Sequence, residues 1–125
     1  RSSTAISITL AIPSPPGQER AVADRVLAEL EEIGLTADED DAGASIGSAI
    51  GNILCRLPGR SEEGTPLFLC AHLDTVPPRG AIEPIVEEGF VRNGAGTILG
   101  ADNKSGVAAI MAASLRAHAR MVRPA

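Results

Sequence analysis

Two side chains of complementary chemistry lie close together in the triplet His72-Leu73-Asp74. If the backbone is extended there, residues two apart point to the same side, so His72 and Asp74 can face one pocket. A neutral imidazole binds zinc well, and a carboxylate that accepts the other ring N–H fixes the orientation of the ring. The structural alternative is a hydrogen-bonded buried histidine beside an aspartate that caps the turn into Thr75. Taken alone, a single His-x-Asp triplet favours that alternative.

A second candidate is the heptapeptide Gly-Ala-Asp-Asn-Lys-Ser-Gly at positions 100–106. Its carboxylate, Asp102, follows a glycine-rich approach and precedes an apolar helical pattern. Aspartate is among the best N-cap residues, and it can also bind a metal ion. Taken alone, the motif favours capping. The other histidine, His118, is expected to be structural or exposed near the end of that helix.

The elements that position these residues follow from hydrophobic periodicity. A helix is predicted over residues 19–33, where apolar residues recur at helical spacing and a glycine follows. Short strands are predicted at 35–40 and 52–57, with a loop at 41–51 between them. A second helix is predicted over residues 102–121. Further short strands are expected among the glycines of the intervening segment, at 85–86, 90–92 and 97–99.

Residues 66–71 are almost wholly apolar, which predicts a central strand covered on both faces. Alternating strands and helices predict an α/β layered fold with a mostly parallel sheet. In such sheets the ligand site lies outside the carboxyl ends of the strands. This places His72 and Asp74, which follow the apolar run directly, at the expected position of a site.

Composition narrows the class of protein. The chain has 125 residues, which is enough for one modest domain. Its net charge is -5 and its pI is about 4.9, so nucleic-acid binding is not expected. No apolar stretch approaches membrane-spanning length and no signal peptide is recognised, so we expect no membrane association and a cytoplasmic location.

Cys55 and Cys70 each lie in an apolar run, and we expect two buried free thiols in a reducing compartment. The chain starts at Arg1 without an initiator methionine and ends at Ala125 directly after a helical pattern. Both ends are therefore expected to be cut rather than natural.

Four segments together resemble one family in order and approximate spacing: residues 12–20, 51–59, 69–76 and 98–110. The family comprises the dinuclear zinc exopeptidases and deacylases that include peptidase T, glutamate carboxypeptidase and succinyl-diaminopimelate desuccinylase. The heptapeptide at 100–106 looks most like the peptidase T-like branch, because deacylase relatives more often carry Asp-Met-Lys-Gly there. The combined motifs outweigh the structural alternatives that each favours separately.

The resemblance implies a role for each matching residue. His72 binds one metal ion, Asp102 bridges two, and Asp74 is the catalytic-site residue that accepts the ring N–H of His72. The peptide bond between Asp102 and Asn103 is expected to be cis. Residues 1–125 correspond to the N-terminal part of a three-layer αβα catalytic domain with a mostly parallel central sheet, without the lid or dimerisation domain.

The resemblance also implies an activity. Two zinc ions activate a water that hydrolyses short peptides, although cobalt or manganese also suits such ligands. The alternatives are a deacylase of N-acyl amino acids and a non-catalytic fragment with a binding or assembly role. The expected partners are a short peptide substrate and, because a truncated sheet leaves an unpaired edge, a second copy of the chain or another chain that pairs with that edge.

We predict that the 125-residue chain alone binds zinc weakly and is inactive. The general-base glutamate and the other metal ligands of the family are expected beyond residue 125. A catalytic zinc ion usually has three protein ligands, whereas this stretch offers His72 and Asp102 alone. Assays on di- and tripeptides with added zinc should detect no turnover, and robust turnover would contradict the prediction.

Overall fold

A computed structural model describes residues 9–59 and 63–122 of the chain. Residues 9–11 are helical. The elements that follow are, in chain order, α1 (Arg20–Glu32), β1 (Ala37–Glu39), α2 (Ala42–Ile46), β2 (Ile53–Cys55), β3 (Pro84–Glu87), β4 (Phe90–Asn93) and α3 (Ala101–Val122). The fold therefore mixes helices and strands, as the alternating patterns predict.

Helix α1 confirms the prediction for residues 19–33, because its apolar stripe is the buried face. It ends in a hydrogen-bonded C-cap around Gly34, whose φ of +83° is readily adopted by glycine. The Gly34 N–H donates to the carbonyl of Glu31 and the Leu35 N–H to that of Leu30, both at 2.9 Å. This is the Schellman arrangement, and it turns the chain towards β1.

Strands β1 and β2 pair antiparallel, with Ala37 opposite Cys55. The side chains of β2 alternate between half-buried and exposed, as the period-2 pattern predicts. The predicted loop between these strands contains the short helix α2. Asp40 holds this connection, since its Oδ1 accepts from the N–H groups of Ala42 at 3.1 Å and Asn52 at 2.6 Å.

Strands β3 and β4 form a hairpin in which Pro84 lies opposite Asn93 and Glu87 opposite Phe90. Its two-residue turn, Glu88-Gly89, has positive φ at both positions (51° and 83°), as a type I′ turn requires. The strands predicted at 85–86 and 90–92 are therefore confirmed, whereas residues 97–99 form no strand.

The mostly parallel three-layer sheet is not confirmed, because the strands in the described ranges form two antiparallel pairs. Residues 66–71 form no strand, and exposed fractions reach 83% for Leu67 and 77% for Phe68. A strand needs partners for its backbone groups, and no described strand lies beside this segment. Cys70 is exposed for the same reason, and Cys55 is half-buried, so the prediction of two buried thiols is wrong, although both thiols are free.

A small core joins α1 to α3. It contains Val26, Leu30, Leu35 and Val107, with Leu73 and Met111 among the half-buried side chains packed against it. The core thus reaches from α1 to the segment that carries His72 and to the first turns of α3. Over residues 9–59 and 63–122, no helix is both long and apolar enough to cross a bilayer.

Candidate metal centre

At the start of α3, the helix is capped by Asn103 rather than by Asp102. Asp102 and Asn103 have non-helical backbone angles, and the peptide bond between them is cis, as the resemblance implies. Asn103 Oδ1 accepts from the Gly106 N–H at 3.2 Å, which is the bond that an N-cap residue makes to the third residue of a helix. Asn103 therefore caps the helix, and the capping role that Asp102 alone would suggest falls to its neighbour.

Gly106 is required for this cap. A β-carbon at that position would lie 2.2 Å from Asn103 Oδ1, which is far inside contact distance. The glycine at the end of the heptapeptide therefore gives the Asn103 side chain room to reach the helix. As a result, the Asp102 carboxylate is free of the helix backbone and 95% exposed.

The His72 ring is held from one side by Asp74. Its Nδ1 lies 2.9 Å from the backbone carbonyl of Asp74 and 3.0 Å from Asp74 Oδ1. Both partners are acceptors, so Nδ1 carries a hydrogen and donates it. The arrangement is that of a metal-binding histidine oriented by a carboxylate, and it leaves Nε2 facing away from Asp74.

The other ring nitrogen faces Asp102 across a gap of 30 residues in the sequence. Nε2 of His72 and Oδ1 of Asp102 lie 3.2 Å apart. In the neutral ring with its hydrogen on Nδ1, both atoms present lone pairs to one another. Such a contact is repulsive unless a proton or a metal ion lies between the two atoms.

Without a metal ion, protonation of the His72 ring is favoured more than for an ordinary histidine. The pKa of His72 is raised, first by its hydrogen bond to the Asp74 carbonyl and then by the carboxylates of Asp74 and Asp102. These acceptors favour the imidazolium because it donates from both nitrogens. The site therefore attracts a cation even though the His72 side chain is 48% exposed.

The separation of the two atoms fits a shared zinc ion. Nitrogen and oxygen ligands at about 2.1 Å from a tetrahedral zinc ion lie roughly 3.4 Å apart. The observed 3.2 Å between His72 Nε2 and Asp102 Oδ1 is close to that value. The second oxygen of Asp102 remains available for a further ion. Over the described ranges, this site included, no three His, Cys, Asp or Glu side chains are grouped so that they could hold a metal ion by themselves.

Sequence reasoning missed the buried residues beneath the site. Ser14, Thr75 and Lys104 are 0%, 3% and 1% exposed, respectively. Ser14 Oγ donates to the Leu73 carbonyl at 2.8 Å, and the Lys104 ammonium donates to the Ile12 carbonyl. Burial lowers the pKa of Lys104. Ser14 and Lys104 donate to backbone carbonyls, which every residue has, so no sequence pattern identifies these contacts. The one sequence feature that points to Lys104 is a charged residue at the start of an apolar helix.

Asn93 is a second residue that the motif analysis passed over. Its Oδ1 accepts from the N–H groups of Glu83 and Ala95, at 2.8 and 3.0 Å. Its Nδ2 donates to the carbonyls of Ala81 and Ile98, each at 3.1 Å. All four hydrogen-bonding positions of the amide are therefore used, and the hairpin is tied to the approach to Asp102.

His118, predicted to be structural or exposed, is half-buried and lies outside this group of residues. It is near the C-terminal end of α3, where its ring lies against Gly34. It follows Lys104, the first regular residue of the helix, by 14 positions, which corresponds to about 21 Å along the helix axis. The site residues that the structure brings together are therefore His72, Asp74 and Asp102.

The chain is similar to two solved peptidases over almost its full length. It matches the aminopeptidase PepT of Bacillus cereus with a TM-score of 0.86 and 27% identity, and a tripeptidase of Staphylococcus aureus with a TM-score of 0.83 and 29% identity. Each match covers 99% of this chain and 33% of the solved chain.

Two sequence relatives give the same picture. The chain is 34% identical to the uncharacterised protein YqjE of Bacillus subtilis and 32% identical to the cytosol non-specific dipeptidase of Escherichia coli. The matches cover 82% and 81% of this chain but only 27% and 21% of the relatives. No protein-family model matches the chain.

The chain thus shares its mixed helix and strand fold with solved peptidases. These similarities fit the peptidase T-like branch of the peptidases, and the chain spans about a third of the length of the two solved proteins.

The division of roles between Asp102 and Asn103 can be tested by stability. We predict that Asn103→Ala lowers the free energy of unfolding by about 1 kcal/mol, because it removes the N-cap bond to Gly106. Asp102→Ala should cost less than half as much, since that carboxylate is exposed and makes no cap. Urea unfolding of the two variants measures the difference, and an equal or larger loss for Asp102→Ala would contradict the assignment.

Proposed function

We propose that the chain is part of a metallo-exopeptidase that hydrolyses short peptides, in the manner of a tripeptide aminopeptidase. The observation that carries the proposal is the approach of His72 Nε2 to Asp102 Oδ1 at 3.2 Å. Support comes from the names of its relatives, an aminopeptidase, a tripeptidase and a dipeptidase. One of them is named a cytosol dipeptidase, which supports a cytoplasmic location.

In this proposal, His72 and Asp102 would hold zinc as ligands, with Asp102 shared between two ions. The bound metal would supply Lewis-acid chemistry, namely a water of lowered pKa and a polarised peptide carbonyl. Cobalt or manganese suits the same mixture of imidazole and carboxylate. The remaining ligands and the general base come from the part of the full-length protein outside these residues. Here "full-length protein" means the product of the whole open reading frame that contains the chain.

Asp74 acts through His72 in this mechanism. By accepting the Nδ1–H at 3.0 Å, its carboxylate fixes the tautomer in which Nε2 presents a lone pair. It also stabilises positive charge on the ring, which increases the basicity of Nε2 as a ligand. The role proposed for Asp74 is therefore orientation and activation of the ligand rather than direct binding of the metal.

We further propose that the sheet of the full-length protein is the mostly parallel layer of a three-layer αβα domain, with residues 66–71 as one of its central strands. Three consecutive exposed apolar residues, Leu67, Phe68 and Leu69, support this. A strand apolar on both faces suits a position between two layers of helices. In the chain alone, the same residues present an uncovered apolar surface.

The proposed activity predicts distinct effects of three substitutions in the full-length protein. His72→Ala and Asp102→Ala should abolish zinc-dependent hydrolysis of di- and tripeptides, because each removes a ligand. Asp74→Ala should lower zinc affinity about 10- to 100-fold, as loss of an orienting carboxylate does. His118→Ala is the matched control and should keep normal activity, since that ring lies against Gly34.

Isothermal titration with zinc and release of the N-terminal amino acid measure these effects. Full activity in His72→Ala or Asp102→Ala would refute the proposal. Turnover of N-acyl amino acids without turnover of free peptides would favour the deacylase alternative.

The exposed apolar segment predicts self-association of the 125-residue chain. Phe68 and Phe90 are matched in type and in exposed fraction, at 77% and 76%, but Phe68 lies in the unpaired segment and Phe90 in the β3–β4 hairpin. We expect the chain to form dimers or larger species through residues 66–71, because an unpaired apolar strand recruits partners.

Sedimentation velocity at several concentrations should therefore find Phe68→Lys shifted towards monomer and Phe90→Lys unchanged. A strictly monomeric parent chain, or equal effects of the two substitutions, would count against the proposal.

A further inference from the structure

Residues 12–14 connect the two segments that bring ligands to the proposed metal centre. Towards the first segment, Ser14 Oγ donates to the Leu73 carbonyl at 2.8 Å, between His72 and Asp74. The Thr75 N–H donates back to the Ser14 carbonyl, also at 2.8 Å. Ser14 is therefore fastened to the backbone on both sides of Asp74.

Towards the second segment, the connection runs through Lys104. Its ammonium donates to the Ile12 carbonyl, and the whole residue is 1% exposed. Lys104 follows Asp102 by two residues and begins the regular part of α3. The short path Ile12-Pro13-Ser14 thus links the Asp102 segment to the His72 segment, and we name residues 12–14 the proline bridge.

The proline bridge is stiff for a local reason. Pro13 has a fixed φ, and Ile12 and Ser14 each precede a proline, which restricts their backbone to extended conformations. Few torsions remain that could change the distance between the Ile12 carbonyl and the Ser14 hydroxyl. A stiff connection between two ligand segments sets the separation of the ligands they carry.

A third contact holds the two segments together. Gly100 has a φ of +76°, and a β-carbon there would lie 3.1 Å from the Thr75 methyl group. The backbone before Asp102 therefore packs directly on the residue that follows Asp74. Ser14 Oγ lies 3.4 Å from Thr75 Oγ1, so the bridge and this packing contact meet at Thr75.

We propose that Ser14 and Lys104 are positioning residues that set the separation of His72 Nε2 and Asp102 Oδ1 through the proline bridge. The inference rests on the proposed metal centre and deepens it. Metal ligands must be held to within about 0.5 Å by supporting residues whose own conformations are fixed. The buried hydroxyl and ammonium supply that support, whereas the ligands themselves are exposed.

The test measures Zn2+ and Co2+ affinity and the visible absorption of bound Co2+ in the full-length protein. Ser14→Ala removes the bond to Leu73, and Lys104→Met removes the bond to Ile12 while keeping a similar buried volume. Each should weaken metal binding about 10- to 100-fold, as loss of an outer supporting group does, and should change the Co2+ spectrum. Ser14→Cys, with a weak thiol donor of similar size, should give a smaller loss.

A double-mutant cycle separates positioning from general stability. If both residues act through the proline bridge, breaking either end disconnects it, so Ser14→Ala/Lys104→Met should bind metal about as well as the weaker single variant. Val22→Ala is the control, because the Val22 side chain is fully buried in α1 and has no polar group that could hydrogen-bond to the bridge. It should lower stability without changing metal affinity or the Co2+ spectrum.

The possible outcomes have distinct meanings. Unchanged affinity in both single variants, or losses that simply add, would overturn the role of the proline bridge and leave the proposed function standing. An equal loss in Val22→Ala would also overturn it, since stability alone would then account for the effect. If the parent protein binds neither metal, or His72→Ala binds as well as the parent, the proposed function fails and this inference fails with it.

Discussion

The proposed metal centre depends on one close approach, that of His72 Nε2 to Asp102 Oδ1 at 3.2 Å. With Nδ1 donating to Asp74, these two atoms both offer lone pairs, and their proximity is favourable only with a proton or a metal ion between them. The sequence distance of 30 residues means that no local structure could bring them together. The fold must supply the contact, and the buried groups around Ser14, Thr75 and Lys104 are where it does so.

In the proposed site, the ligand side chains are exposed and the residues that support them are buried. Asp102 and His72 have side chains 95% and 48% exposed, while Ser14 and Lys104 are inaccessible. The core adds to this support. Val107, one turn after Lys104 in α3, packs against the apolar face of α1. Ordering long or charged side chains costs entropy, and here the polar side chains that are ordered, Ser14 and Lys104, lie at buried contacts.

The sequence predicts the local elements and not the sheet, for a physical reason. Helix α1 could be predicted because its hydrogen bonds are internal and Gly34 ends it by its own conformation. Residues 66–71 have the composition of a central strand, yet a strand exists only with partners, and the described residues offer none. Helix α2 was missed because its Gly, Ala and Ser residues carry no amphipathic pattern.

The same distinction applies to the site. His72, Asp74 and Asp102 could be named from motifs, since ligand chemistry restricts residue type. Ser14 could not, because it binds backbone carbonyl and amide groups that every sequence provides. In the heptapeptide at 100–106, two adjacent residues have different roles. Asn103 caps the helix and Asp102 faces His72. A residue-type pattern identifies both side chains as suited to either task, and only the backbone turn between them decides which one does which.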